Sequence, residues 1–259
     1  MTTPATTRAQ VSRLQPAKMS EVVARALLDH IVEADLQPGD PLPNERDAIA
    51  WLSVSRGSLR EGLRLLEAQG VITVRPGPGG GPVVRDADPE MFGSTSTLLM
   101  QFMRVPFREV LDARIAFEPQ VADEAARQRT EPQADELLAS VDAMRAAVGD
   151  HERFQGAYDG FHRLLATSTN NRVLLLSGLT FRKIWEPIHA EADYGSKQLP
   201  RTVSAHRQLA TAVRDRDPDA ARAASRRHLT EYRSHLQAHQ PELLDRRVTW
   251  ATNSRGGTA

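Results

Sequence analysis

Arg56, Arg60 and Arg64 recur every four residues, so on one α-helix they would share an arc of about 80°. Leu59, Leu63 and Leu66 fall on a neighbouring arc, which lets the leucines pack while the guanidinium groups project outward. Arginine donates bidentate hydrogen bonds to guanine O6 and N7, or clamps a phosphate. Ser58 and the free amides at the start of the helix add a second way to hold phosphate. The same ladder is also what an ordinary solvated face looks like, with Glu61 and Glu67 as partial partners. The choice between them rests on the elements that would position the arginines.

Those elements are readable. A helix beginning near Ser20, its N-cap, places Val22, Val23, Ala26, Leu27 and Ile31 on one buried stripe. Pro38-Gly39 stops it. Asn44 caps a second, short helix, with Glu45 and Asp47 in its first turn, where the helix dipole favours negative charge, and Ile49 and Leu52 as its apolar contacts. Ser53-Val54 turns the chain, and Ser55 caps the arginine helix, which runs to Gln69 before Gly70. Val71–Val74 and Val83–Arg85 read as two strands around a Gly/Pro-rich tip, a wing. Two helices around a tight turn are how a protein presents a helix to the DNA major groove.

Composition sets the outer bounds. The 259 residues suffice for two domains, and 40% hydrophobic with 25% charged residues is the balance of a soluble globular chain. No apolar run approaches the ~20 residues that span a bilayer, and Met1–Gln15 lacks the apolar segment of a secretory signal. The absence of cysteine excludes disulfides, thiolate catalysis and cysteine zinc sites. A cytoplasmic protein with no membrane partner is expected. Net charge is zero, and residues 18–86 carry 8 Lys/Arg against 10 Asp/Glu, so any nucleic-acid affinity must come from where the positive charges sit.

The motifs Pro38-Gly39, Leu42-Pro43, Glu45-Arg46, Val54-Ser55-Arg56, Arg60-Glu61, Leu63, Leu66-Glu67 and Gly70 resemble the GntR family of bacterial regulators over about residues 20–85. Asn44 stands where that pattern has Ser, and Ala48 where it has Leu. The resemblance implies operator contacts from Arg46, Arg56 and Arg60 and a wing tip in the minor groove, with Arg75 and Gly77 at the wing. The full DNA-facing set is then Arg46, Ser55, Arg56, Ser58, Arg60, Arg64, Arg75 and Gly77.

From Pro89 to Pro241 there is no convincing strand. Six or seven helices are expected, including about 106–128, 132–148, 152–168, 172–190, 201–215 and 218–238, with Pro106, Pro132 and Pro218 at first helical positions and Thr130 and Asp217 as caps. Leu111, Arg114, Glu118, Phe161-His162, Asn171, His206, Asp217 and His228-Leu229 resemble the all-helical FCD effector domain of FadR-like GntR regulators. That resemblance implies one divalent ion of Zn or Ni type per chain, held by His162, His206 and His228, three imidazoles on separate helices. The subfamily's Asp, four residues before the first His, is Tyr158 here, and Asp159 on the same helix is the substitute ligand expected. Arg114 and Asn171 are the effector-binding candidates. Arg114 either clamps a carboxylate effector beside the metal or forms a surface ion pair with Asp112 or Glu118. His30, His151, His189, His235 and His239 read as ordinary polar residues.

The expected architecture is mainly α: a tail at 1–17, a winged helix-turn-helix at 18–86, an all-helical effector-binding and dimerisation domain at 87–245, and a frayed tail at 246–259. The expected protein is no enzyme but a homodimeric regulator, a repressor, of a double-stranded operator. A small organic acid modulates it, with coupling through Asp86–Phe92. Two alternatives stay open: a metal-dependent enzyme with a helix-turn-helix docking module, and a regulator whose metal-free pocket takes an acyl-type ligand.

Overall fold

A computed structural model describes residues 18–77, 80–86, 89–189, 191–192 and 195–250. The chain divides into two compact units, Met1–Asp88 and Pro89–Ala259. The tail expected at 1–17 lies outside the described residues, as do positions 78–79 of the wing tip and 87–88 of the expected coupling segment.

In the first unit, α1 (Met19–Glu33), α2 (Glu45–Leu52) and α3 (Arg56–Ala68) precede β1 (Ile72–Arg75) and β2 (Gly81–Val84). Val23, Leu27, Ile31, Leu42, Ala48, Leu59, Leu66, Ile72 and Val84 form one core. Each fully buried leucine there contributes about 1.5–3 kcal/mol. The caps at α2 and α3 form as expected: Asn44 Oδ1 accepts from the Asp47 amide at 3.1 Å, and Ser55 Oγ from the Ser58 amide at 3.1 Å. Ser53 (φ 53°) and Gly70 (φ 72°) take the left-handed conformation that ends their helices.

Three local expectations need correction. Helix α1 starts at Met19 after Lys18, which makes no side-chain cap, and Ser20 is buried inside the first turn. Val22 faces outward and is exposed, because Ser20 rather than Val22 extends the stripe of Val23, Leu27 and Ile31. The returning strand begins at Gly81, pairing Arg75 with Gly81 and Ile72 with Val84. On its side away from β1, β2 meets residues 39–42: Leu42 N donates to Pro82 O and Val84 N to Asp40 O, both at 2.9 Å, so Pro82 takes part in the pairing through its carbonyl.

The second unit contains, among the described residues, α4 (Pro89–Phe102), α5 (Phe107–Gln128), α6 (Glu131–Ala146), α7 (His151–Thr167), α8 (Arg172–His189), α9 (Gly195–Arg214), α10 (Pro218–His239) and the single-turn α11 (Pro241–Asp245). That is eight helices rather than six or seven. Helix α4 escapes a periodicity reading because Phe92, Leu98, Leu99 and Phe102 on it are all exposed. Helix α9 runs back through Pro200, where a boundary was expected. Pro106 is the N-cap of α5 and Pro132 follows Glu131, while Pro218 opens α10 as expected. Thr130 and Gln133 form a reciprocal capping box.

Helix α5 packs against α7, α8, α9, α10 and α11 and so forms the centre of this unit. Its end is tied to that of α9: Arg129 Nε donates to the Val213 carbonyl at 3.3 Å, and Arg216 donates back to the Arg129 carbonyl at 3.0 Å. The frayed end expected from Arg246 is ordered through Trp250. Phe107 N donates to Arg246 O at 2.7 Å, Val248 N to Val105 O at 2.9 Å, and the Trp250 indole to Ser94 Oγ at 2.8 Å. Val248 is buried, and a lone apolar residue is too little for a sequence pattern to reveal.

Gly62 has an architectural role. A Cβ there would lie 2.6 Å from Val23 Cγ1 and 3.1 Å from the Ser20 carbonyl, so α1 and α3 meet where no side chain fits. Gly62→Ala gains roughly 1 kcal/mol of helix propensity but overpacks by about 1–3 kcal/mol. A lowered Tm is expected by calorimetry; an unchanged or raised Tm contradicts this contact.

Candidate DNA interface and histidine pocket

The side chains of Arg46, Arg56 and Arg60 are 91%, 72% and 60% exposed, and Arg64 is exposed as well. Glu45, at the start of α2, accepts a hydrogen bond from Arg60 Nη2 at 3.3 Å and forms an ion pair with Arg56, whose Nε lies 2.9 Å from its Oε1. Exposed ion pairs of this kind stabilise little, but they orient the two forks side by side. The partner is therefore Glu45 rather than Glu61 or Glu67; Glu67 accepts the Val74 amide at 2.9 Å and ties α3 to the wing. Ser55 and Ser58 join through their hydroxyls at 2.9 Å, at the helix N-terminus whose amides suit a phosphate. Arg75 is exposed at the end of β1, and Gly77 (φ 94°) bends the chain into the tip.

In the helical unit, His162 of α7, His206 of α9 and His228 of α10 converge, with one ring nitrogen from each within 4.8 Å of the others. The Asp159 carboxylate is not in that group, so the fourth ligand expected from the sequence is not brought to it. The place one turn before His162 belongs to Tyr158, whose buried ring lies 4.7 Å from that of His162 and 5.1 Å from that of His206. Burial pushes the Tyr158 phenol well above its ordinary value, so it is neutral.

The tautomer of His206 is fixed by its surroundings. Its Nδ1 lies 2.7 Å from the Thr202 carbonyl, an oxygen that only accepts, so Nδ1 carries the hydrogen and Nε2 presents a lone pair. Burial lowers the His206 pKa to about 4, keeping the ring neutral. That Nε2 faces His162 Nε2 at 3.2 Å, while His162 Nδ1 faces Glu118 Oε2 at 3.6 Å. Whichever nitrogen of a neutral His162 carries the hydrogen, one pair of lone pairs is left facing. A proton on His162 or a metal ion among the rings removes that conflict, and an imidazole whose second nitrogen donates to a carbonyl, as His206 does to Thr202, is the usual arrangement around a metal. The three histidines therefore fit a divalent ion.

Beside them, α5 delivers Arg114 and Glu118. The ion pair expected at the surface is instead buried, with Nε 2.5 Å from Glu118 Oε1 and the guanidinium carbon 3.8 Å from the Trp185 ring centroid. Burial works against the Arg114 charge, but Glu118 more than offsets it, and Tyr158 adds a hydrogen bond. One nitrogen, Nη1, is buried without a hydrogen-bond partner among the described residues. Asn171 is exposed and accepts the Val173 and Leu174 amides at 2.9 and 3.2 Å, so it caps α8 rather than lining the pocket. Glu118 was legible four residues after Arg114; nothing in the sequence marked Trp185 or Thr202.

Residues 19–80 match the profile of the bacterial regulatory proteins of the gntR family, and residues 109–231 match the FCD domain. An HTH-type transcriptional regulator of Mycobacterium tuberculosis is 34% identical over 177 residues, 67% of this chain and 71% of that protein. The chain belongs to the GntR family. It is a DNA-binding transcriptional regulator with a C-terminal effector domain, not an enzyme. The HTH-type transcriptional repressor NanR of Cronobacter sakazakii is 28% identical over 229 residues, 85% of this chain and 86% of that protein. The solved structure of Streptococcus agalactiae GntR has the same fold, with a TM-score of 0.69, 24% identity and coverage of 83% of this chain and 99% of that one. Among the described residues of this regulator, no helix is long and apolar enough to cross a membrane.

Arg60→Ala removes one exposed fork from the reading helix without touching the core. Operator affinity, read by fluorescence anisotropy, should fall by about 1–3 kcal/mol, tenfold or more, with an unchanged circular dichroism spectrum. Undiminished affinity in the folded variant would remove α3 as the reading helix.

Proposed function

We propose that this regulator is a repressor that binds a palindromic operator as a homodimer and responds to a small organic acid. The observation that carries the acid is Arg114 Nη1: a buried guanidinium nitrogen with no protein hydrogen-bond partner among the described residues, close to the converging imidazoles. An unsatisfied buried donor costs roughly 1–3 kcal/mol, and a carboxylate is the ligand that best recovers it. Relatives named as transcriptional repressors support the sign of regulation. A chain with one reading helix reaches both halves of a palindrome, one DNA turn or about 34 Å apart, only by pairing with a second copy about a two-fold axis.

His162, His206 and His228 would hold one Zn²⁺- or Ni²⁺-type ion per chain, which supplies a Lewis-acidic point for the acid's second oxygen. The chain's own residues do the rest. Arg114 orients the acid, Glu118 keeps the Arg114 charge balanced and faces His162, and Trp185 excludes water from one side of the guanidinium. Binding switches DNA affinity only to the extent that the acid prefers one arrangement of the dimer over the other.

Arg114→Lys keeps the charge beside Glu118 but loses the fork. It should bind operator as the wild type does and need at least about tenfold more acid for release, as expected when a bidentate charge-assisted contact is lost. An unaltered acid response would remove Arg114 from effector binding. A single protomer by light scattering would remove the dimer.

A further inference from the structure

Helices α9 and α10 pack against each other across the short connection 215–217 and so run antiparallel. The groove on their outer face encloses about 650 Å³, the scale of a small-molecule site. It is separate from the histidine pocket: His206 and His228 are buried, whereas Arg201, Ser204, Arg227, Thr230 and Glu231 line the groove and are exposed. Ala205 is the single apolar side chain of the lining among the described residues, so a ligand here is held by hydrogen bonds and charge. Glu231, four residues after Arg227, is its ordinary helical partner. Arg227 reaches across to α9 instead, where its Nη2 donates to Gln208 Oε1 at 2.8 Å. The neutral amide fixes the fork without cancelling its charge, and neither Arg227, Arg201 nor Glu231 has an ion pair among the described residues. Their neighbours Arg207 and Arg222 are by contrast paired with Asp142 and Asp123. Arg201 precedes Gln208 by two helical turns, so it stands about 10 Å along the groove from the Arg227 fork.

Between these two cationic stations the groove offers acceptors. Glu231 is a carboxylate, and Thr230 spends its own hydrogen on the Arg226 carbonyl at 2.8 Å, which leaves its oxygen as an acceptor. Cations at the ends and acceptors in the middle match a ligand with an anionic end and a hydroxylated body. We infer that this groove is a second ligand site of the regulator, for the phosphate ester of a small polyol or sugar. Arg227 takes the phosphate through the guanidinium hydrogens that Gln208 does not use, and phosphate suits a planar fork. Glu231 and Thr230 accept from hydroxyl groups of the carrier, and Arg201 donates to an oxygen at its far end. Glu231 repels a bare phosphate, so the site distinguishes the ester from the inorganic ion.

Isothermal titration of glucose 6-phosphate into the full-length protein tests this, with glucose and inorganic phosphate as separate titrants at equal ionic strength. The ester should bind more tightly than inorganic phosphate, and glucose at least about tenfold more weakly than the ester. Arg227→Gln changes an exposed side chain outside the core and should weaken the ester by at least about tenfold. Glu231→Ala separates the two halves of the site. It should weaken the ester, by removing a hydroxyl acceptor, and strengthen inorganic phosphate, by removing a repelling charge. Ester affinity unchanged in Arg227→Gln would place the ester elsewhere on the protein and overturn the site. Tighter ester binding in Glu231→Ala, or inorganic phosphate binding as tightly as the ester, would overturn the hydroxylated carrier. No ester binding to the wild-type protein at millimolar concentration would overturn the inference as a whole.

Discussion

Moving a guanidinium out of water costs several kcal/mol unless charge and hydrogen bonds replace the solvent. In the helical unit that constraint falls on Arg114, and its neighbours are arranged to meet it: Glu118 one turn along α5, the Trp185 face from α8 and the Tyr158 hydroxyl from α7. Removing Glu118 alone would leave a buried charge unpaired, a loss of about 3–5 kcal/mol. The same carboxylate lies 3.6 Å from His162 Nδ1, so the residue that balances the arginine also borders the histidine cluster. Because α5 also touches α7, α9 and α10, which carry the three histidines, the pocket and the core share their supports.

The DNA-binding unit follows the opposite logic. Its arginines are left in water, and the core beneath them is apolar, with Leu59 and Leu66 on the inner side of α3 and Gly62 against Val23. Glu45 orients Arg56 and Arg60 without burying them. Weak surface pairs suit a face that must exchange its partners for phosphates and bases. This also explains how a domain with more acidic than basic residues binds nucleic acid: the positive charge is concentrated on one arc rather than spread over the surface.

Much of this was legible because it is local. The four-residue spacing of Arg56, Arg60 and Arg64, the caps Asn44, Ser55, Thr130 and Asp217, and Gly70 each act within a few residues. The gathering of His162, His206 and His228 was implied by family resemblance, since residues so far apart carry no periodic signal. What escaped depends on distant contacts. Helix α4 shows an apolar face to solvent, the 246–250 strap rests on one buried valine and on hydrogen bonds to residues far along the chain, and the partner of the arginine ladder lies on another helix. Asp159 looked adequate from its spacing, but one residue is about 100° of helical turn, and Tyr158 occupies the direction that faces the histidines.

The central claim is sequence-specific operator binding by the exposed arginine face. Its most direct measurement is selection of source-genome fragments on the purified protein at moderate salt, followed by sequencing, because non-specific phosphate binding falls steeply with salt while base readout enriches particular sites. The expected result is a small set of fragments sharing one short palindrome. Fragments no more enriched than competitor DNA, both for the protein alone and with zinc and acetate present, would contradict the account.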